Sequence, residues 1–447
     1  MSRSDAPRHR SEARPHTPLT RRRFLAVSGA ALVGPYIVSA SVMGAEGATP
    51  PSDRIGIGVI GAGGRGTGHV QALRQRDDAE VRAVCDPQEA KRQAARHHVE
   101  SFYADRQGRG AFRGCLATPD FREVLGHGGI DAVLIASPEN WHALHTVFAA
   151  TAGKDIYCEK ALSLTVAEGR AVVDTVRRRG RIFQIGTQQR SARNFRFACE
   201  LARNGYLGDL RRVDVGVPGG RALPNVAPED PPPGLDYDLW LGPARWTPYN
   251  SLKCSFNWYF ILDYCVGWIQ SWGVHHVDIA LWGAPALGAD TLDIEGTAVF
   301  PSDGIANTSI TWDVTARTPG GLVLHFTDNK KNPQGCRFIG TKGWVHVRRG
   351  GISAEPASLL QARLRPGDER LAESLDHRAN WMECIRTRRD PVAPVEAGHA
   401  ATTLAVVADI ATRLGRKLTW NWLKERFEND EAANRMLTRS MRPPWRL

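Results

Sequence analysis

The sequence predicts an α/β protein that opens with a doubly wound parallel sheet and continues into a second domain of different construction. Three observations carry this expectation. An apolar run of strand length, Ile55-Gly56-Ile57-Gly58-Val59-Ile60, feeds the glycine turn Gly61-Ala62-Gly63-Gly64-Arg65-Gly66, and a segment that can be helical follows at 69–76. Strand and helix patterns then alternate to about residue 185. After residue 190 the alternation gives way to strand-like runs at 292–300, 308–314, 321–326 and 343–347. The expected division is 1–52 as signal and linker, 53–187 as the dinucleotide-binding domain and 188–447 as the second domain.

Each element of the first half has a local reason. Gly61 permits the tight turn, Gly63 lets the backbone approach a pyrophosphate, and Gly66 lets helix and strand pack closely. The helix N-terminus supplies free N–H groups and positive partial charge for phosphates. The strand Val81-Arg82-Ala83-Val84-Cys85 ends at Asp86, 20 residues after Gly66. An acidic side chain there accepts hydrogen bonds from the adenosine ribose hydroxyls. Pro87 and Gln88 follow it, with no adjacent arginine for a 2'-phosphate, so NAD is expected in preference to NADP.

Further along, the strand 131–136 runs into Ser137-Pro138-Glu139-Asn140-Trp141-His142, and a helix is expected at 143–152. The short strand 155–158 closes at Glu159-Lys160. Thr165 and Glu168 form a capping box in front of the helix 166–178, and 182–185 is the last strand of the sheet. Ligands of such sheets lie beyond the carboxyl ends of the strands. The candidate cofactor-binding set is therefore Gly61, Gly63, Gly64, Arg65, Gly66, Asp86, Ser137, Pro138, Asn140, His142, Glu159 and Lys160. His142 and Lys160 are candidates to face the nicotinamide; the plainer readings are a loop-fixing histidine and a surface lysine paired with Glu159.

Composition narrows the function classes. A chain of 447 residues with 42% hydrophobic residues suits two globular domains. Of the net charge of +11, residues 1–23 contribute +5, with seven arginines against Asp5 and Glu12. The remaining +6 is dispersed, without basic runs interleaved with aromatics, which argues against nucleic-acid binding. The eight cysteines (Cys85, Cys115, Cys158, Cys199, Cys254, Cys265, Cys336 and Cys384) form no CxxC pair and no zinc spacing, and read as buried small residues.

Thr20-Arg21-Arg22-Arg23-Phe24-Leu25 reads as a twin-arginine export signal. The apolar stretch 24–40 carries Ser28, Gly29, Gly34, Pro35 and Ser39, which makes it weak as a membrane span and suitable as a signal core, cleaved after Ala40 or Ala45 or retained as an anchor. The expected location is the periplasm or another exported site. The twin-arginine route carries folded proteins, so a nicotinamide-binding protein sent this way would take its cofactor along.

The turn Gly61 to Gly66, Ala136-Ser137-Pro138 through Trp141-His142, and Glu159-Lys160 resemble the Gfo/Idh/MocA oxidoreductases, the glucose-fructose oxidoreductase and inositol dehydrogenase family. Further similar stretches are Gly186-Thr187-Gln188-Gln189-Arg190-Ser191, Asp238-Leu239-Trp240-Leu241-Gly242-Pro243 and Trp272-Gly273-Val274-His275-His276-Val277-Asp278. The end, Ala432-Ala433-Asn434-Arg435 to Pro443-Pro444-Trp445, looks like an exported bacterial branch. The resemblance implies a Rossmann domain followed by an α/β domain on a large open, mostly antiparallel sheet that supports the substrate pocket and often oligomer contacts. A homo-oligomer is therefore expected.

In the terms of that family, the lysine of a Glu-Lys-Pro motif helps place cofactor and substrate, and a later helix carries an Asp four residues before a His or Tyr. Lys160 and His275 match as the catalytic pair, and histidine suits removal of a hydroxyl proton near neutral pH. Two positions depart from the pattern: Ala161 replaces the motif proline, and Ser271 stands where an aspartate is expected. Asp263 and Asp278 are the candidate replacements; Asp278, three residues after His275, shares a helix face with it if the stretch is helical. Arg190, Asp263, Ser271 and Asp278 are thus the expected substrate-side residues.

The approach to this helix, Tyr264-Cys265-Val266-Gly267, is also bulkier than the family's glycine-rich pattern. His275, His276 and Asp278 lack a third partner motif, so no metal is expected and His276 is assigned to packing. Among 13 tryptophans, Trp240, Trp246, Trp258, Trp268 and Trp272 offer flat faces for sugar rings, or ordinary core packing. Pro231-Pro232-Pro233-Gly234 starts an irregular loop, and 236–249 is placed to wall the site.

The leading functional expectation is an exported NAD(P)-dependent oxidoreductase with a tightly held nicotinamide cofactor, acting on a sugar, sugar derivative or cyclitol. One alternative is a glycoside-cleaving enzyme that uses NAD transiently, with no net redox. The other is a sugar-binding protein on a dehydrogenase fold, motivated by Ser271 and Ala161. The expected partner is a small carbohydrate, with neither nucleic acid nor a membrane span beyond an uncleaved signal.

Overall fold

Strand β1 (Ile55–Ile60) is buried along its whole length, as a parallel strand covered on both faces must be. Its alternation sorts the residues: Ile55, Ile57 and Val59 enter one core layer and Ile60 the other. The computed structural model describes residues 53–107, 112 and 114–447, so the twin-arginine signal, the apolar stretch 24–40 and the linker to residue 52 lie outside the described residues.

The chain continues through α1 (Gly64–Leu73), β2 (Ala79–Cys85), α2 (Glu89–Gln107), β3 (Leu116–Thr118), α3 (Phe121–Gly126), β4 (Ala132–Ile135), α4 (Glu139–Thr151), β5 (Asp155–Cys158), α5 (Val166–Arg178) and β6 (Phe183–Ile185). The six strands are parallel in the order β3-β2-β1-β4-β5-β6, which is the doubly wound arrangement expected. The strand order reverses between β1 and β4, and the crevice at their carboxyl ends holds the site.

Two helices start earlier than the sequence pattern suggests. Helix α1 leaves the glycine turn at Gly64 rather than near 69, and α4 begins at Glu139 rather than near 143. At α5 the Thr165 hydroxyl accepts a hydrogen bond from the Glu168 N–H at 3.3 Å, as a capping box requires. The reciprocal arm is displaced by one residue: Glu168 accepts from the Leu164 N–H at 2.9 Å, while its other oxygen takes Arg439.

The second half comprises α6 (Arg193–Arg203), β7 (Leu210–Val217), α7 (Tyr237–Leu241), α8 (Trp268–Ser271), α9 (Gly273–Gly283), β8 (Thr291–Val299), β9 (Thr311–Arg317), β10 (Val323–Asp328), β11 (Gly335–Gly340), β12 (Gly343–Arg348), β13 (Gly351–Glu355), α10 (His377–Thr387), α11 (Val395–Leu414), β14 (Leu418–Asn421), β15 (Arg426–Phe427) and α12 (Glu431–Arg435). Nine strands form an open sheet in the order β13-β12-β11-β7-β10-β9-β8-β14-β15, antiparallel throughout except for the parallel pair β7 and β10. Alternate residues such as Val213, Val215, Trp312, Val314, Phe326 and Phe338 face a core completed by α6, α9 and α11.

The chain then returns to the first sheet. Trp381 and Met382 of α10 join one of its core layers; Val392, Ala393, Val395 and Trp445 join the other. The Ile185 N–H donates to the Ala393 carbonyl at 3.0 Å, so the first domain is finished by residues more than two hundred positions downstream. All eight cysteines are free, and only Cys254 is partly exposed. Among the described residues no helix is long and apolar enough to cross a membrane.

Candidate active site

The glycine turn is shaped by what surrounds it. Gly61 has φ of +93°, and a Cβ there would lie 2.5 Å from the Ala136–Ser137 backbone; a Cβ on Gly66 would lie 1.8 Å from the Gly61 carbonyl oxygen. These two glycines serve close packing of turn, helix and β4. Gly63 and Gly64 differ, because a Cβ on either would meet nothing within 4 Å. Gly63 caps α1 without a side-chain hydrogen bond, so the first-turn N–H groups stay free beside an open cradle.

Asp86 closes the far end of that cradle. Its carboxylate accepts from the Ala62 N–H and the Gln88 N–H, each at 2.9 Å, which fixes it against the turn. Burial raises its pKa, opposed by those two hydrogen bonds and by Lys91 and Arg92. An open glycine cradle, uncapped helix amides and a fixed carboxylate are the donor and acceptor set that a dinucleotide such as NAD needs. Asp86→Ser is expected to weaken NAD binding by about 10- to 100-fold, the equivalent of roughly 1.5–3 kcal/mol for a hydrogen bond to a charged group. Fluorescence titration with NAD and NADP checks it; an unchanged NAD affinity would mean that the ribose does not reach this carboxylate.

Between cradle and second domain, Glu159 accepts from Arg65 Nε at 2.7 Å and from His69 Nε2 at 2.8 Å. Burial keeps His69 neutral, so it donates its Nε2–H. Burial also acts against the Glu159 charge, but the His69 hydrogen bond and the Arg65 charge outweigh it and hold the carboxyl well below the usual range. Arg65 is thereby anchored while half its side chain remains exposed at the cavity.

Lys160 follows at the end of β5. Its Nζ donates to Ser271 Oγ at 2.7 Å, stands 3.5 Å from Glu139 Oε1 and lies 5.5 Å from the centre of the Tyr259 ring. Burial alone would lower its pKa; its neighbours, the carboxylates of Glu139 and Glu159 among them, more than compensate, so the ammonium stays charged. Burial pushes the Tyr259 hydroxyl up to about 12, and it stays protonated.

His275 lies four residues beyond Ser271 and lines the same cavity, with its Nδ1 lacking a hydrogen-bond partner. Burial first, then the charges of Lys160 and Arg349, push its pKa well below the ordinary 6.5, leaving a neutral imidazole. The Arg349 guanidinium sits 4.8 Å over the Trp272 ring. One cavity of about 610 Å³ runs from Gly61, Gly63, Gly64, Arg65 and Asp86, past Ser137, Pro138, Glu159 and Lys160, to Ser271 and His275. Trp240, Trp258, Trp268 and Trp272 also line it, whereas Trp246 is an exposed surface residue.

Several expected site residues are used otherwise. Asn140 is buried, its amide donating to the Leu241 carbonyl, so it ties α4 to α7. His142 borders the cavity, but its ring nitrogens sit against the carbonyls of Ala161 at 2.6 Å and Ser137 at 2.9 Å, which makes it the loop-fixing histidine. Gly66 packs the helix rather than lining the cavity. Arg190 and Asp278 form a buried two-pronged ion pair at 2.7 and 2.8 Å, away from the lining, and Asp263 pairs with Arg245 at 3.6 Å in a partly exposed position. Neither aspartate therefore supplies the carboxylate that position 271 lacks.

Sequence reasoning missed Glu139, Tyr259, His69 and Arg349. Glu139 carried a signal, as an acidic residue directly after Ser137-Pro138; Arg349, in the turn between β12 and β13, carried none.

Two family models cover most of the chain. One, described as an oxidoreductase family with an NAD-binding Rossmann fold, matches residues 55–187, and the other, the oxidoreductase family's C-terminal alpha/beta domain, matches residues 220–447. Glycosyl hydrolase family 109 protein 1 of Shewanella sp. (strain MR-4) is 27% identical over 205 residues, 42% of this chain and 44% of that protein. The myo-inositol 2-dehydrogenase of Thermotoga maritima is 30% identical over 184 residues, 40% of this chain and 47% of that protein. The chain thus spans just under half the length of these curated relatives. Among solved structures, the WlbA dehydrogenase from Bordetella pertussis, in complex with NADH and UDP-GlcNAcA, shares the fold with a TM-score of 0.60 at 17% identity, over 81% of this chain and 98% of that one.

Proposed function

The chain belongs to the Gfo/Idh/MocA oxidoreductase family, and from that premise we propose that it is an exported NAD(P)-dependent oxidoreductase that holds its nicotinamide cofactor tightly and acts on a sugar, sugar derivative or cyclitol. The observation that carries the reading is the shared cavity: the glycine cradle and Asp86 at one end, Lys160 and His275 at the other. When bound, NAD supplies an acceptor for a hydride from a carbinol carbon. The neutral His275 imidazole is fit to take the hydroxyl proton of that carbinol. The Lys160 ammonium, held by Ser271, can donate to the same oxygen and offset the negative charge that develops there. Trp258, Trp268 and Trp272 supply apolar faces for a sugar ring and displace water from it.

Export rests on Thr20 to Leu25, where the arginine pair, Phe24 and Leu25 stand in register ahead of an apolar stretch. Self-association through the open face of the nine-stranded sheet belongs to the same proposal. A second reading, glycoside cleavage with no net redox, is favoured by the relative that bears the name glycosyl hydrolase family 109. Aglycone released without net change in nicotinamide absorbance would select it.

The deciding experiment is mass spectrometry and absorbance on nucleotide released by acid from protein purified without added cofactor. Near-stoichiometric NAD or NADP is expected. Finding none, with no binding when NAD is supplied, would overturn the oxidoreductase reading and leave a carbohydrate-binding protein on this fold.

A further inference from the structure

Glu139 is only 1% exposed, and neither of its carboxyl oxygens has a well-aligned hydrogen-bond partner among the described residues, although the Cys265 thiol interacts with it. Such a group is costly to bury and persists where it has a task. It lines the cavity, and its ion-pair partner is Lys160, whose Nζ is 3.5 Å from Oε1. The other acid beside Lys160 is committed elsewhere, because Glu159 is held by Arg65 and His69. Ser271, which Lys160 does hydrogen-bond, brings a hydroxyl and no charge. A buried ammonium resting on a hydroxyl alone would tend to lose its proton.

We propose that Glu139 is the positioning residue of the site: its carboxylate, reaching across from the first turn of α4, keeps the Lys160 ammonium aimed at the oxygen of the reacting carbinol. The inference rests on the proposed oxidoreductase reading for its consequence in turnover, though not for its geometry. Lys160 is faced by Glu139 from α4, Glu159 from its own loop, Tyr259 and Cys265 from the segment before α8, and Ser271 and His275 from α8 and α9. The Cys265 thiol, pushed well up by burial and then by Glu139, stays neutral and brings no competing charge. Glu139 is therefore the carboxylate whose removal most directly changes the setting of Lys160.

The test is pulse labelling of the full-length protein with acetic anhydride across a pH series, with the modification of Lys160 read by peptide mass spectrometry. In Glu139→Gln the midpoint of Lys160 reactivity is expected to fall by about 1 unit or more, the usual effect of a lost neighbouring opposite charge. kcat/KM falls with it. Adding Ser271→Asp restores both, since Ser271 Oγ is already within 2.7 Å of Nζ and a carboxylate there brings the missing charge. A midpoint unchanged in Glu139→Gln overturns the proposal. Should that variant fail to fold, the wild-type profile decides: a Lys160 midpoint well below that of an ordinary lysine would show that no carboxylate holds the ammonium, and overturns the proposal equally. Labelling needs no substrate, so a wild-type protein inactive on every carbohydrate would count against the oxidoreductase reading and leave the Lys160 midpoint to judge Glu139.

Discussion

His275→Ala is expected to lower kcat/KM for the carbohydrate substrate by about 10²- to 10⁴-fold, the range of a positioned general base. The same residue sets the acid side of the pH profile. Burial, then the charges of Lys160 and Arg349, place its pKa well below 6.5. A group with a lowered pKa is in its basic form above that value, so activity persists at pH 6.5 and is lost only as the pH falls through the depressed pKa. Arg349→Ala removes one of the depressing charges and is expected to move the acid limb upward, toward 6.5. Initial rates against pH for the two proteins check both statements. A wild-type acid limb at or above 6.5 would assign the proton to another base.

Asp278→Ala is expected to cost about 3–5 kcal/mol of stability, because it leaves the Arg190 guanidinium buried without its partner. The guanidinium has a further contact with the Val392 carbonyl at 3.3 Å and stacks 5.1 Å from the Trp282 ring, neither of which supplies a negative charge. Replacing both partners with apolar residues, as Arg190→Met/Asp278→Leu, is expected to recover most of that loss. Urea unfolding midpoints provide the readout. A raised KM with unchanged stability would instead put Asp278 in the substrate pocket.

The features legible in the sequence were those whose chemistry is local. The strand, the glycine turn and Asp86 lie within about thirty residues and constrain one another, and Glu159-Lys160 follows directly from a strand end. Asp278 was misplaced because a shared helix face indicates direction only when the helix has a single buried side. In α9 every residue except Leu281 is buried, so periodicity cannot say which side meets the cavity. The start of α4 was placed too late for a related reason: Glu139 and Asn140 read as polar loop residues, yet tertiary contacts bury both. Of the second sheet, β8, β9, β10 and β12 stood out as apolar runs, whereas β13, β14 and β15 are only two to five residues long, and β14 joins the sheet by pairing with β8, far earlier in the chain. Arg349 reaches the cavity from a turn nearly two hundred residues after Lys160, and only the sheet brings them together.

The return of residues 377–445 to the first sheet also governs the order in which this protein can be made. A nascent chain that has emerged as far as residue 187 holds all six strands, but the surfaces later covered by Trp381, Met382, Ala393 and Trp445 are still bare. Trp141, beside the cavity, meets Trp445 edge to face, at 4.7 Å between ring centres. The nucleotide half is thus a discontinuous folding unit, whose closure waits for residues 377–445 to arrive. Chains stalled before residue 377 would present its unfinished faces to chaperones and proteases.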